Sequence, residues 1–290
     1  MSLTSFLASN KDVREQFRQE FKKPKFTSKM DLLAPPLTKR YMLIGTAFDY
    51  LMRFYLKYHN PNAITRTWVA ELSIKSPMSP LLDNVVIDSD TREVIEFTET
   101  NLTRKVQQII EQAKKVYKDY LSSGKLSDEL IKTALHLARL DAISRSGFID
   151  ENIGTVYEEE VADLQKLISI VNPNLFKVQE ICLLNPAFGK GSKLVGGADA
   201  DLFIDGMLID IKTTKMLEFT RSYFDQLIGY YVLHEIGGIG DLKSKTEISK
   251  VGIYFSRHAY LYVLEIQDII NRNTFPNFIR WFRERVAKKM

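Results

Sequence analysis

The pair Asp205-Gly206 constrains this chain more than any other feature, because it separates two β-rich apolar runs, residues 194–204 and 207–213. Asp-Gly between two such runs is a strong short-range signal for a two-residue hairpin turn. A turn at this position fixes the register of both strands. The predicted pairs, outward from the turn, are Ile204 with Met207, Phe203 with Leu208, Leu202 with Ile209, Asp201 with Asp210, Ala200 with Ile211, and Asp199 with Lys212.

This register sorts the hairpin into two faces, because side chains alternate along a strand. One face is apolar throughout and consists of Ala200, Leu202, Ile204, Met207, Ile209 and Ile211. The other face is apolar only beside the turn and carries Asp199, Asp201, Asp210 and Lys212 at its open end. Opposed residues have Cβ atoms about 4.5–5.5 Å apart, so three carboxylates and one lysine are predicted to converge. Carboxylates that close repel each other unless a cation or a shared proton lies between them.

Two interpretations of this charged patch are open. In the first, the charges blunt the solvated end of an edge strand, as they often do in β-sheets. In the second, the hairpin lies inside a sheet and the patch lines a crevice. The second interpretation is favoured, because a strand that is apolar on both faces is typical of the centre of a sheet.

Three short motifs in this part of the chain resemble those of RecB-like nucleases in the PD-(D/E)xK superfamily. They are Gly196-x-x-Asp199, Asp210-x-Lys212 and Gln226-x-x-x-Tyr230, the last on a predicted helix. The resemblance covers the C-terminal part of the chain well and the part before it only loosely. It implies an α/β fold with a restriction-endonuclease-like mixed β-sheet core flanked by helices, and with a large helical N-terminal region.

Phosphodiester hydrolysis needs an activated water and neutralised charge at the scissile phosphate, and Mg²⁺ or Mn²⁺ bound by carboxylates supplies both. The hairpin register favours Asp210 and Asp201 as metal ligands. The G-x-x-D match favours Asp199, so Asp199 and Asp201 both remain candidates. The resemblance adds the backbone carbonyl of Ile211 as a ligand. Lys212 is predicted to orient the attacking water or to stabilise developing charge.

The predicted helix over residues 219–236 contributes Gln226 and Tyr230, which are neighbours on one helical face at positions i and i+4. The resemblance implies that they position the lysine and the DNA. The alternative is a core tyrosine with a hydrogen-bonded glutamine. The predicted catalytic set is therefore Asp199, Asp201, Asp210, Lys212, Gln226 and Tyr230.

An earlier predicted helix carries Gly45-x-x-x-Asp49, at the place where RecB-like nucleases often have G-x-x-x-His. The histidine of that motif can complete the metal site. Asp49 is therefore an additional candidate ligand by position. The alternative is a helical aspartate without a catalytic role.

The cysteine content limits which cofactors the chain can bind, and the net charge limits how it can bind DNA. The single cysteine, Cys182, excludes an internal disulfide framework and a cysteine-ligated iron–sulfur cluster or zinc site. The net charge is only +4, so DNA binding is expected to depend on a local basic strip. The residues proposed for this strip are Lys190, Lys193, Lys215 and Arg221.

The periodicity of apolar residues and the residues that start and stop helices divide the chain into two parts. These are a helical region, residues 1–172, and a nuclease core, residues 173–290. The helical region is expected to pack on the core and to contain an early core helix near residues 38–58. Its predicted helices are 11–21, 41–58, 67–74, 103–121, 127–144 and 156–171. In the core, strands are predicted at 177–184, 194–204, 207–213, 251–255 and 260–266, with helices at 219–236 and 275–288.

Together these features predict a Mg²⁺- or Mn²⁺-dependent deoxyribonuclease that acts in repair, recombination, restriction or phage replication. The alternative is a catalytically inactive nucleic-acid-binding or scaffolding module on a nuclease fold. DNA is the expected partner, and no protein partner is assigned. No apolar run approaches the ~20 residues of a membrane span, and no secretory signal is visible. A cytoplasmic protein without membrane contact is therefore expected.

Overall fold

The computed structural model describes residues 3–75, 82–87, 94–99, 101–147, 149, 153–240, 242 and 246–287. Within these ranges the α-helices are α1 (Leu3–Ser9), α2 (Lys11–Glu20), α3 (Tyr41–His59), α4 (Val69–Lys75), α5 (Asn101–Ser123), α6 (Asp128–Ser146), α7 (Glu158–Ser169), α8 (Lys190–Leu194), α9 (Arg221–Gly237) and α10 (Phe275–Ala287). The strands are β1 (Ile64–Thr65), β2 (Leu82–Ile87), β3 (Val94–Glu99), β4 (Cys182–Leu184), β5 (Leu202–Ile204), β6 (Met207–Lys212), β7 (Lys250–Phe255) and β8 (Tyr260–Glu265).

The chain folds as two compact units. The sheet unit consists of Met1–Leu33, Asn62–Arg66 and Asn172–Met290, and the helical unit consists of Ala34–Pro61 and Thr67–Val171. The boundary predicted after residue 172 therefore lies one residue from an observed one. The N-terminal segment was expected in the helical region, but it belongs to the sheet unit. The reason is packing: Phe6 and Phe17 are buried in the core of the sheet unit, where both rings contact Phe282 of α10.

The sheet unit is built on six strands in the order β1-β4-β5-β6-β7-β8. The pairs β1–β4 and β6–β7 are parallel and the others are antiparallel, so the sheet is mixed. This confirms an α/β fold with a mixed sheet flanked by helices. It also confirms that the hairpin lies inside the sheet, because β5 and β6 are its two central strands.

The hairpin turn forms as its sequence predicts. Asp205 and Gly206 both have positive φ, at 46° and 83°, as a type I′ turn requires. The register is confirmed for the three pairs next to the turn, which end at Leu202 with Ile209. Beyond Leu202 the chain leaves β6. The amide of Ala200 donates to the carbonyl of Pro186 at 2.9 Å instead, on the side of the strand away from β6.

Two predicted strands are shorter than expected. Strand β4 begins at Cys182 rather than at residue 177, because the Asp205 carboxylate accepts the amides of Gln179, Glu180 and Ile181 at 2.7–2.9 Å. Those amides are thereby withdrawn from strand pairing. The strand predicted from residue 194 contracts to β5, and the preceding loop contains the short helix α8. Helix α8 lies against α9 so closely that a Cβ on Gly191 would be 2.3 Å from the carbonyl oxygen of Leu233.

The helical unit contains the predicted helices with shifts of a few residues at their ends. Helix α6 begins after Ser127, whose Oγ accepts from the amide of Leu130 at 3.2 Å, and it ends at the left-handed Gly147. Arg139 and Glu160 form a buried ion pair with two hydrogen bonds of 2.9 and 3.0 Å. Strands β2 and β3 pair as an antiparallel ribbon that the sequence did not predict. In the part of the chain that the structure describes, no helix combines the length and apolar character needed to cross a bilayer.

Candidate active site

The carboxylate of Asp210 lies near the end of the central strand β6. Asp210 is buried at 3% exposure, and its Oδ2 is 2.6 Å from Nζ of Lys212, two residues along the same strand face. Burial acts to lower the pKa of Lys212, but the charge of Asp210, the hydrogen bond to Asp210 and the charge of Asp201 together outweigh burial and raise that pKa. The ammonium therefore stays charged, and it neutralises a carboxylate that water does not reach.

Lys212 is also fixed by the helix that follows. Its Nζ donates to Oε1 of Gln226 at 2.9 Å, and Nε2 of Gln226 donates to the hydroxyl of Tyr230 at 2.8 Å. The same ammonium lies 5.0 Å from the ring centre of Tyr223, within the range of a cation–π contact. Because Lys212 can only donate, it sets the orientation of the Gln226 amide. The structure thus brings Asp210, Lys212, Gln226 and Tyr230 into one chain of contacts.

Tyr230 lies at the inner end of this chain. It is buried, and its ring stacks on Phe188 with 5.3 Å between ring centres. Burial, followed by the charges of Asp210, Asp201 and Asp199, raises the pKa of Tyr230 well above 10.0, while the hydrogen bond from Gln226 lowers it less. The phenol is therefore neutral. The three carboxylates that act on it are the three that the sequence predicts to converge.

Asp201 reaches the site through its side chain. Its Oδ2 accepts the backbone amide of Ile211 at 2.5 Å, beyond the point where the β5–β6 ladder ends. This carboxylate takes the place of a strand carbonyl. The predicted ladder pair of Asp201 with Asp210 does not form, and Asp201 contacts the neighbouring Ile211 through its side chain instead.

Asp199 is held by Asn185, a residue that the sequence analysis missed. Nδ2 of Asn185 donates to Oδ2 of Asp199 at 2.6 Å. The backbone amide of Asn185 donates to the backbone carbonyl of Asp201 at 2.8 Å. Asn185 is buried at 5% exposure and has a φ of 56°, a conformation that asparagine tolerates better than most residues. The signal that could have found it is an Asn-Pro pair directly after an apolar strand, which marks a tight turn.

The donor atoms around Asp210 fit a hard divalent cation. Carboxylates and a peptide carbonyl are the oxygen ligands that Mg²⁺ and Mn²⁺ prefer. Asp210 Oδ2 is buried, and the cation beside it in the structure is the Lys212 ammonium at 2.6 Å. The described residues contain no group of three His, Cys, Asp or Glu side chains already placed around one metal position. A metal ion on Asp210 would therefore compete with the Lys212 ammonium.

The remaining predicted ligand, Asp49, belongs to the helical unit. Its Oδ2 accepts a hydrogen bond from Arg53 Nη2 at 2.6 Å, one helical turn further along α3. Both side chains are mostly buried, so this pair is part of the interior of that unit. The observed contact of Asp49 is therefore with Arg53 in the interior of the helical unit.

Three of the four predicted DNA-binding residues, Lys190, Lys193 and Lys215, have exposed side chains. Arg221 differs. It donates to the carbonyl of Phe21 at 3.0 Å and forms an ion pair of 2.7 Å with buried Asp225. Arg221 therefore ties the end of α2 to α9, and it would reach a phosphate only by losing these contacts.

Comparisons with protein families, with curated proteins and with solved structures found no match for this chain.

Proposed function

We propose that this protein is a Mg²⁺- or Mn²⁺-dependent nuclease that hydrolyses DNA phosphodiester bonds on a restriction-endonuclease-like core. The observation that carries the proposal is the chain Asp210–Lys212–Gln226–Tyr230, with the Asp201 carboxylate on the adjacent Ile211 amide. A buried carboxylate, a charged lysine and two orienting groups beside the end of a central strand form more than a solvated strand end. The burial of apolar surface does not by itself require these four side chains to lie together.

Asp210, Asp201 and the carbonyl of Ile211 would hold the metal, with Asp199 as the further candidate. When bound, the ion supplies Lewis-acid stabilisation of the phosphate and lowers the pKa of a bound water. Asp199 and Asp201 are kept in position by Asn185 and by the Ile211 amide. The role of the protein here is to present oxygen ligands whose orientation is set before the substrate arrives.

Lys212 acts as a hydrogen-bond donor and a positive charge, because an ammonium has no lone pair with which to accept a proton. At the end of β6 it can hold the attacking water or stabilise the charge that develops on the phosphate oxygens. Gln226 accepts from Lys212 and donates to Tyr230, so these two residues limit the positions that the ammonium adopts. They are positioning residues in this proposal.

The test is cleavage of supercoiled plasmid and linear DNA in Mg²⁺, in Mn²⁺ and in chelator. Wild-type protein should cut only with metal, and Asp210→Asn and Lys212→Ala should each lose at least 100-fold in rate, which corresponds to about 2.7 kcal/mol of transition-state stabilisation. Lys177→Ala, which removes an exposed lysine beyond the other end of β4, is the control and should cut normally. Equal cutting by Asp210→Asn and wild type would refute the proposal. DNA binding without cleavage would support the inactive binding module instead.

A further inference from the structure

A cleft of about 370 Å³ opens at the edge of the sheet unit where β1 pairs with β4. Its lining is more apolar than polar, and it includes two cationic side chains. The apolar wall includes Ile64, Leu184 and Pro186, and the cations are Arg66 and Lys193. The described residues that line the cleft include no acidic side chain.

The topology places this cleft beside the proposed active site. Strands β1 and β4 are parallel, so Arg66, directly after β1, lies next to Asn185, directly after β4. Nη1 of Arg66 donates to the carbonyl of Asn185 at 3.4 Å, and the side chain of Asn185 holds Asp199 at 2.6 Å. Strand β1 is two positions from β5 in the sheet, which is about 10 Å at the usual strand spacing. The cleft and the carboxylates therefore lie at the same end of the strands, the cleft beside the edge strand β1 and the carboxylates at the central hairpin.

The chemistry of the cleft suits a nucleotide. Exposed Arg66 and Lys193 offer several N–H donors to a phosphate, and no described carboxylate in the wall competes for them. Ile64 is 49% exposed, which leaves an apolar surface open for the face of a base. The volume is at the lower end of the ~300–1,000 Å³ of small-molecule pockets, enough for a single nucleotide and not for a stacked base pair.

We propose that this cleft binds one unstacked nucleotide of the substrate strand, next to the phosphate that is cut. Arg66 and Lys193 contact its phosphate, and Ile64 and Pro186 contact its base. The proposal rests on the proposed nuclease function and adds a substrate class: DNA that is single-stranded where it enters the site. It also assigns a role to Arg66, which the sequence analysis did not single out.

The first experiment is fluorescence anisotropy on a single-stranded oligonucleotide, with Ca²⁺ in place of Mg²⁺, across a salt series. Arg66→Ala and Lys193→Ala should each weaken binding by about five- to tenfold at low salt and reduce the salt slope by about 0.7. The control is Lys177→Ala, which also removes one exposed charge and should leave the slope unchanged. Equal slopes for wild type, Arg66→Ala and Lys193→Ala would overturn the proposal.

The second experiment separates the base from the phosphate. Single abasic nucleotides are placed in turn on either side of the cleavage position, and cleavage by wild type is compared with Ile64→Asn. Wild type should lose about tenfold in kcat/KM at one abasic position, and Ile64→Asn should lose that sensitivity, because burying part of the face of one base against an aliphatic side chain contributes about that much. Uniform cleavage of all abasic substrates by wild type would overturn the base contact.

These outcomes separate the two proposals. Wild-type cleavage together with an unaltered salt slope in both cation variants overturns the cleft and leaves the nuclease function standing. Wild-type protein that neither binds nor cuts DNA overturns both.

Discussion

Asn185 Nδ2 donates a hydrogen bond of 2.6 Å to Oδ2 of Asp199, across the tight turn that leads out of β4. Asn185 also donates its backbone amide to the carbonyl of Asp201. One buried residue with a positive φ therefore sets the position of two candidate metal ligands. Partners of this kind usually change metal affinity or activity by 10- to 100-fold when they are removed.

Asn185→Gly should raise the Mn²⁺ concentration needed for half-maximal cleavage by about tenfold. Glycine adopts the positive φ without strain, so the variant removes the side-chain amide alone. Asn185→Ala should show the same metal effect and in addition lose about 1 kcal/mol of stability in urea unfolding, because alanine is strained in this conformation. An unchanged Mn²⁺ requirement in Asn185→Gly would show that the contact with Asp199 does not serve the metal site.

The parts of the fold that the sequence predicts are those fixed by near neighbours. Asp205-Gly206 determines its own turn, and Gln226 and Tyr230 are brought together by the helix that carries them. The central position of β6 in the sheet can also be predicted from the sequence, because Leu208 and Ile209 make both faces of this strand apolar. Local chemistry was sufficient in each of these cases.

The parts that the sequence does not predict depend on contacts between distant segments. The Asp205 carboxylate sets the start of β4 by binding amides that lie 24–26 residues before Asp205 in the chain. Arg66 reaches Asn185 over 119 residues through a two-residue strand that carries no periodicity. Asp201 replaces a backbone acceptor with its side chain, which no register rule anticipates. The pattern of apolar and polar residues does not show where a side chain replaces a backbone hydrogen-bonding partner.

Asp205→Asn should destabilise the protein by about 1 kcal/mol at pH 7, because one amide oxygen cannot accept all three backbone amides. Asn-Gly still favours the type I′ turn, so the turn itself is retained. Burial tends to raise the pKa of Asp205, but hydrogen bonds from Ile181, Gln179 and Glu180 outweigh it and hold the pKa below 3.8. A lowered pKa stabilises the fold above the unfolded-state pKa, and this contribution is lost as the pH falls through the folded-state value.

The difference in unfolding free energy between wild type and Asp205→Asn should therefore shrink as the pH falls from 5 to 2. Urea denaturation at several pH values measures it. Asp268→Asn, a change at an exposed carboxylate in the same unit, serves as the control. A difference that stays constant down to pH 2 would mean that the three amide contacts do not distinguish the charged from the neutral carboxyl group.

Calorimetric titration with Mn²⁺ should rank the candidate ligands. Asp210→Asn should abolish measurable binding, because this buried carboxylate is the centre of the site. Asp201→Asn should weaken binding more than Asp199→Asn, since the Asp201 side chain reaches the amide next to Asp210, whereas Asp199 is bonded to Asn185. Binding by Asp210→Asn at wild-type affinity would remove the metal site from this hairpin.

Lys212→Ala should lose cleavage and also stability, and the lost stability should depend on metal. Removing the ammonium leaves Asp210 buried without a cation, and breaking a buried pair costs about 3 kcal/mol, at the lower end of the usual range because Lys212 is 19% exposed. Mn²⁺ at 100 times its Kd restores about 2.7 kcal/mol by mass action. Wild type should gain less from Mn²⁺, because the metal must first displace Lys212 from Asp210.

The shift in Tm on adding Mn²⁺ should therefore be larger for Lys212→Ala than for wild type. The double variant Asp210→Asn/Lys212→Ala should be more stable than Lys212→Ala without metal, because no charge is then buried alone, and it should not respond to Mn²⁺. Cleavage should stay lost in Lys212→Ala even at saturating Mn²⁺, since the role of the lysine at the phosphate is not replaced by the ion. Equal Tm shifts in wild type and Lys212→Ala would show that the metal and the ammonium do not compete for Asp210, and the proposed position of the metal would then be wrong.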